Sequence, residues 1–142
     1  MGYFEGRKHY YPVRVFYEDT DFTGVVFYAN YLRFLERARS SFFRLAGVTH
    51  KELLERDIPL GFAIRKLNLE YLRPARIDDA LLVMTSYDSY KGARLWVSQE
   101  IWRGEELLLT AHSEAACIDM NGRPRRPTKK MIELLKPFFL TD

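Results

Sequence analysis

The sequence predicts an α+β domain in which an antiparallel sheet wraps around one long helix. Three observations carry this expectation. A single long stretch has helical periodicity, with Tyr31, Leu35, Ala38, Phe42 and Leu45 spaced 4, 3, 4 and 3 apart. Several short apolar runs, set apart by turn signals, read as strands. One long helix cannot supply the crossovers that a parallel doubly wound sheet needs. The chain of 142 residues fits a single domain spanning 1–142. Hydrophobic residues at 47% and charged residues at 29% exclude a disordered chain.

Taken in order, residues 1–9 read as a loose arm. Tyr10 to Tyr17 is aromatic and β-branched, with Val13, Val15 and Tyr17 alternating against Arg14 and Phe16. Pro12 confines that strand to an edge or a strand start. A polar break, Glu18 to Gly24, separates it from the long helix, which Gly47 stops. Thr49 caps a short second helix, Glu52 completes a capping box, and Pro59 ends it. Four further strands are expected around Leu67–Tyr71, Leu81–Tyr87, Leu95–Trp102 and Leu107–Asp119. Arg73-Pro74, Lys91-Gly92, Arg103-Gly104 and Asn121-Gly122 punctuate them, so the four are predicted to pair as a meander. Thr128 to Leu135 closes the chain as a helix packing Met131, Leu134 and Leu135.

Several function classes recede at this level. No run of about 18 apolar residues is present, so no membrane-spanning helix is expected. The first residues lack the apolar core of a secretory signal, and the cytoplasm is the expected location. One cysteine, Cys117, allows no internal disulfide; it shares strand parity with Ala115 and reads as a small core residue. His9, His50 and His112 have no metal-ligand spacing, so neither a metal nor a cofactor is expected. The net charge of +3 suits a phosphate-bearing ligand without calling for nucleic acid.

The densest chemical signal runs from Tyr17 to Tyr31. Asp19 and Asp21 stand in a loop just before a helix, where free amides and the helix dipole favour an ionised carboxylate. The same amides can polarise a carbonyl and hold an oxyanion. Gly24 lets the backbone turn or approach a ligand closely. The same residues read equally as a helix cap and a turn that satisfies its own amides.

The stretch Val13 to Tyr31, with the E-D-T-D-F-T-G-V-V pattern at its centre, resembles the active-site motif of the 4-hydroxybenzoyl-CoA thioesterase family. Phe34 to Arg39, Leu67 to Pro74, Gly92 to Trp102 and Asn121 to Pro127 extend the likeness over nearly the whole chain. It is strongest with the bacterial acyl-CoA thioesterases associated with the Tol–Pal envelope system. The resemblance implies the hotdog fold, and hydrolysis of an acyl-CoA thioester with no cofactor. It implies Asp21 as nucleophile or general base, and the Tyr28 backbone amide as the group that polarises the carbonyl. Gly24, Val25, Val26, Phe27 and Asn30 would bind substrate around them, with Tyr31 packing. Phe27 departs mildly from relatives, which bears on pocket shape.

Glu36 is the rival carboxylate, since some hotdog thioesterases carry theirs on this helix; its spacing from Arg39 instead predicts an ion pair. The basic run Arg123, Arg125 and Arg126 reads as a solvated turn or as a site for the CoA phosphates, with nucleic acid a third and weaker reading; Lys91 and Arg94 are weaker phosphate candidates. Leu95 to Trp102 is apolar on both faces, which implies a homo-oligomer, a dimer or a tetramer. Acyl carrier protein is a second expected partner. The alternative to an enzyme is a binding module for acyl-CoA or acyl carrier protein that kept the fold without catalysis.

Overall fold

The structure is a computed structural model that describes residues 2–141. Six strands form one antiparallel sheet: β1 (Tyr3–Glu5), β2 (Lys8–Arg14), β3 (Gly61–Tyr71), β4 (Ala80–Lys91), β5 (Arg94–Arg103) and β6 (Glu106–Ile118). Their spatial order is β1-β2-β4-β5-β6-β3. The helices are α1 (Tyr31–Ala46), α2 (His50–Leu54) and α3 (Lys129–Leu135).

The helix α1 lies where its periodicity predicts and buries Tyr31, Phe34, Leu35, Ala38, Phe42 and Phe43. Leu45, placed on the stripe by spacing, is half exposed, and Phe34 and Phe43 take the buried positions instead. The helix divides the core in two. One cluster gathers Val15, Val26, Tyr31, Phe34 and Leu35 with Leu81, Val83, Ile101 and Leu109. The other gathers Phe42 and Phe43 with Tyr87, Leu95, Val97, Met131 and Leu135. Each fully buried side chain of this size contributes about 1.5–3 kcal/mol.

Two expectations need correction. Residues 1–9 are not a loose arm throughout: Tyr3–Glu5 pairs with Lys8–Tyr10 in a hairpin, and Gly6 supplies the positive φ of its turn at 61°. The second concerns the meander. Only β4, β5 and β6 follow one another; β3 lies against β6 at the far edge, and the place beside β4 belongs to β2. Sequential neighbours usually pair, but here β3 leaves its outer side open. The hairpin also accounts for Pro12. Its strand is covered by β1 only as far as Tyr10, so Pro12 sits where β2 is an edge.

The first long strand also ends early. Arg14 is its last residue, Val15 is buried, and Tyr17–Asp19 forms a single 3-10 turn that leaves Tyr17 exposed. The backbone thus leaves the sheet before reaching the two aspartates. Thr49 and Thr128 cap α2 and α3 by accepting from the Glu52 and Met131 amides. Cys117 is buried, as its parity predicts, and burial pushes its thiol up to about 11, so it is not a nucleophile at neutral pH.

Candidate active site

The loop from Asp19 to Phe27 is a small two-stranded turn. Phe27 N–H donates to the Asp19 carbonyl (3.0 Å), and Asp21 N–H donates to the Val25 carbonyl (2.9 Å). Gly24, at φ 84°, closes the turn by donating to the Asp21 carbonyl (3.2 Å). Val26 N–H donates to the Ala75 carbonyl and docks the loop onto the sheet.

Asp21 is half exposed at the head of this turn. Its Oδ1 accepts from the Thr23 N–H (2.8 Å) and the Thr23 hydroxyl (2.5 Å). The Thr23 hydroxyl, and then its amide, hold the carboxyl below the usual aspartate range. Oδ2 has no partner among the described residues. The result is an ionised carboxylate with one oxygen pinned and the other free.

Asp19, two residues earlier, is buried and fully bonded. Its Oδ2 accepts from the Phe16 N–H (2.9 Å) and its Oδ1 from the Asn30 side-chain amide (2.9 Å). Asn30 would be the natural cap of α1, yet it makes no cap hydrogen bond. The turn leading into α1 instead satisfies the Asn30, Leu32 and Arg33 amides on the Phe27, Ala29 and Asn30 carbonyls. Tyr28 N–H has no acceptor among the described residues, while the Tyr28 carbonyl accepts from the Tyr71 hydroxyl (2.8 Å). Thr20 is extended (φ −105°, ψ 159°), so Asp21 follows Asp19 onto the side where α1 begins. An ionised carboxylate and an unused amide in the turn that leads into α1 therefore share one short segment.

Of the sequence-predicted site residues, Asp21, Gly24, Val25, Phe27, Tyr28 and Asn30 come together here. Val26 does not face this space: its side chain is buried in the core beside Tyr31 and Ala75. The side-chain amide of Asn30 is taken up by Asp19 and is not offered to a ligand. Arg123, Arg125 and Arg126 lie elsewhere. They follow the end of β6, whereas Tyr28 touches Tyr71 at the end of β3 that pairs with Leu109, near where β6 begins. A strand of 13 residues separates the two ends by roughly 40 Å. Arg125 also braces its own turn, donating from Nε to Asp119 (3.0 Å), while Arg123 and Arg126 are exposed.

Glu36 makes no ion pair with Arg39 within 4.0 Å among the described residues. Arg39 turns inward and donates to Gln99 (3.0 Å), which is itself fixed by donating to the Leu35 carbonyl and the Thr85 hydroxyl. Glu36 instead lines a cleft of about 330 Å³ between α1 and β3, together with Leu32, Arg39, Phe43, Phe62 and Leu67. Leu32 lies four residues after Tyr28, so the cleft opens one helical turn from the free amide. The sequence reading missed Tyr71 as a neighbour of this site. It stands 43 positions from Tyr28 and carries no motif.

Residues 23–110 match the sequence model of the thioesterase superfamily. An acyl-CoA thioesterase YbgC from Haemophilus influenzae is 41% identical over 110 residues, which is 78% of this chain and 80% of that protein. An acyl-CoA thioester hydrolase YbgC from Escherichia coli is 38% identical over 128 residues, covering 89% of this chain and 94% of that one. Among solved structures, a probable thioesterase from Bartonella henselae superposes with a TM-score of 0.83 at 40% identity, over 85% of this chain and 99% of that chain. A wrapped antiparallel sheet, a helix start left uncapped beside a carboxylate, and this extent of likeness give one conclusion: the chain is a hotdog-fold enzyme of the thioesterase superfamily.

Proposed function

We propose that this enzyme hydrolyses acyl-CoA to the free acid and CoA, with Asp21 as the reacting carboxylate. One observation carries the proposal. Asp21 is held ionised beside the start of α1, where the Tyr28 N–H is left without an acceptor. The thioester carbonyl oxygen accepts from that N–H, and the charge developing on it is stabilised by the amide and the helix dipole. Asp21 either attacks the carbonyl carbon to form an acyl anhydride, which water then splits into the free acid and the regenerated carboxylate, or takes a proton from a water that attacks the carbonyl carbon directly. The thiolate leaves without an acid to assist it. The apolar cleft beside Leu32 receives the acyl group. The cytoplasm, where acyl-CoA pools lie, is the proposed location.

Self-association completes the site in this reading. The outer side of β3 is unpaired over 11 residues, and Ile64, Leu67 and Tyr71 are exposed along it. Antiparallel pairing with the β3 of a second copy would set the Gly61 end of one chain beside the Tyr71 end of the other. The second copy's Arg123–Arg126 turn lies at its Gly61 end, because β3 pairs Gly61 with Ile118 of β6. The 40 Å separation within one chain would thus vanish across the pair. The CoA phosphates would meet Arg123 and Arg126 from the neighbouring copy.

The test is hydrolysis of a panel of acyl-CoAs, short, long and aromatic, by the wild type, Asp21→Asn and Glu36→Gln. Loss of turnover in Asp21→Asn alone is expected. Loss in Glu36→Gln with Asp21→Asn intact would transfer the role to the cleft carboxylate. Tight CoA binding with no turnover of any thioester would leave a binding module. Mixing inactive Asp21→Asn with an Arg123→Glu/Arg126→Glu variant should restore part of the activity if the two sets of groups come from different copies.

A further inference from the structure

Tyr28 is held on both sides while its N–H has no acceptor among the described residues; that N–H shares a peptide plane with the Phe27 carbonyl, which accepts from the Asn30 N–H (2.8 Å). On the residue before Tyr28, Phe27 N–H donates to the Asp19 carbonyl (3.0 Å). Two residues after it, the Asn30 side chain donates to the Asp19 carboxylate (2.9 Å). The Tyr28 carbonyl, in the next peptide unit, accepts from the Tyr71 hydroxyl (2.8 Å). Asp19 itself cannot shift, because its other oxygen is taken by the Phe16 N–H and the residue is buried.

We infer that Asp19 and Tyr71 are positioning residues for thioester hydrolysis: they clamp the Tyr28 amide in the orientation that meets the substrate carbonyl. The inference rests on the reading of Tyr28 given above and extends it to residues that touch no reacting atom. The clamp works in two complementary ways. Holding Asn30 on Asp19 fixes the far end of the turn in which the Asn30 N–H donates to the Phe27 carbonyl, the partner of the Tyr28 N–H in its peptide unit. Anchoring the Tyr28 carbonyl to Tyr71 holds the following peptide unit and so limits rotation at Tyr28, while the Phe27 carbonyl, bonded to the Asn30 N–H, sets the plane of the Tyr28 N–H. Tyr71 lies at the end of β3, so the clamp also ties the carbonyl-binding amide to the strand whose outer side is unpaired. A donor fixed in advance costs no reorganisation when charge develops, and an error of about 1 Å in such a group can cost roughly 100-fold in rate.

Infrared difference spectroscopy reads the clamp directly. Butyryl-CoA and benzoyl-CoA carrying 13C at the carbonyl would be bound to full-length Asp21→Asn, which holds the thioester without cleaving it. The carbonyl stretch is expected to fall below its frequency in water. Adding Tyr71→Phe or Asp19→Ala should move it back toward the free value, with binding affinity little changed. In the otherwise wild-type enzyme, Tyr71→Phe should lower kcat about 10-fold with KM nearly constant and the unfolding midpoint unmoved, since it removes one hydroxyl from a half-exposed ring. Asp19→Ala should lower kcat further and cost stability as well, so Tyr71→Phe keeps the test decisive should Asp19→Ala fold poorly. Equal carbonyl frequencies in Asp21→Asn and both double variants would overturn the clamp while leaving the Tyr28 reading intact. An unshifted carbonyl in Asp21→Asn itself would remove the Tyr28 reading, and the clamp with it.

Discussion

At its C-terminal end α1 stops in a complete left-handed cap. Gly47 sits at φ 103°, its N–H returns to the Arg44 carbonyl, and Val48 N–H returns to the Phe43 carbonyl. Phe42, Phe43 and Val48 are buried there against Met131 and Leu135 of α3. At its N-terminal end the same helix has no side-chain cap, and Phe16, Tyr17, Phe22, Phe27 and Tyr28 are all exposed around it. One end is closed by its backbone and hides its aromatics; the other leaves the Tyr28 N–H without an acceptor among the described residues and its aromatics exposed. The difference agrees with the proposed site: stability is concentrated where the helix is finished, and the proposed chemistry where it is left unfinished.

The sharpest way to break this division is a crossed pair of substitutions. Asp21→Asn should lower kcat by about a thousandfold or more, the scale at which a lost reacting group is felt. It should leave the urea midpoint nearly fixed, because Asn can still accept from the Thr23 amide. Phe42→Ala should do the reverse. Phe42 is fully buried and packs edge-on against Phe4, Tyr87 and Phe138. Its loss should cost about 3–5 kcal/mol by chemical denaturation, with the specific activity of the folded fraction retained. A large activity loss in folded Phe42→Ala would show that the two ends are coupled.

The finished end also predicts how stability follows pH. His9 is completely buried beside Phe4 and Phe42, with Nε2 in hydrogen-bond contact with Ser41 (3.1 Å). Burial pushes its pKa down from 6.5 to about 4, so the fold favours the neutral ring. The unfolded chain binds the proton first. Stability from this group is full above pH 6.5 and is lost as pH falls from there toward 4. Urea midpoints measured across that window should decline in the wild type and flatten in His9→Gln. An equally steep decline in the variant would assign the acid sensitivity to other groups.

Gly47→Ala tests the cap with a smaller expected effect. The position needs a positive φ, which costs an L-residue about 1–2 kcal/mol, and the added methyl would rest against Leu134 at 3.4 Å. The loss should appear in the melting curve alone. A fall in kcat without one would contradict the separation of the two ends.

How much of this was legible in the sequence follows the same division. The finished end announces itself: helical spacing, Gly47 and Thr49 mark the bounds of α1 and the start of α2, because periodicity and caps are local signals, although α2 ends at Leu54, ahead of the Pro59 expected to stop it. The unfinished end is visible only as a motif. Asp21 and Gly24 can be singled out, but that Asn30 turns to Asp19 instead of capping depends on the loop's path. Tyr71 reaches Tyr28 only because β3 leaves its sequence neighbour β4 for β6, which no local pattern encodes. The basic run shows the same limit. Its charge is plain in Arg123, Arg125 and Arg126, yet which end of the sheet carries it is a matter of topology. The hairpin at Tyr3–Tyr10 did carry a signal, Gly6 between two aromatic-rich runs, but its first strand of three residues is too short for alternation to register.

The most delicate probe of the unfinished end is the hydroxyl of Thr23. It contributes the first of the interactions that lower the Asp21 pKa, and the Thr23 amide contributes the next. Both favour the charged carboxylate, which is the form required whether Asp21 attacks carbon or takes a proton from water. Thr23→Ala removes the hydroxyl and keeps the amide. The Asp21 pKa should then rise toward the ordinary aspartate value, so a larger fraction is protonated at mildly acidic pH. The acid limb of the kcat/KM profile should move to higher pH, while the plateau near neutrality changes little. Thr23 is exposed and outside both cores, so the unfolding midpoint should stay within about 0.5 kcal/mol of the wild type. A limb that does not move would mean that Asp21 is not the group titrating there, and the contrast between the two ends of α1 would lose its chemical half while keeping its structural one.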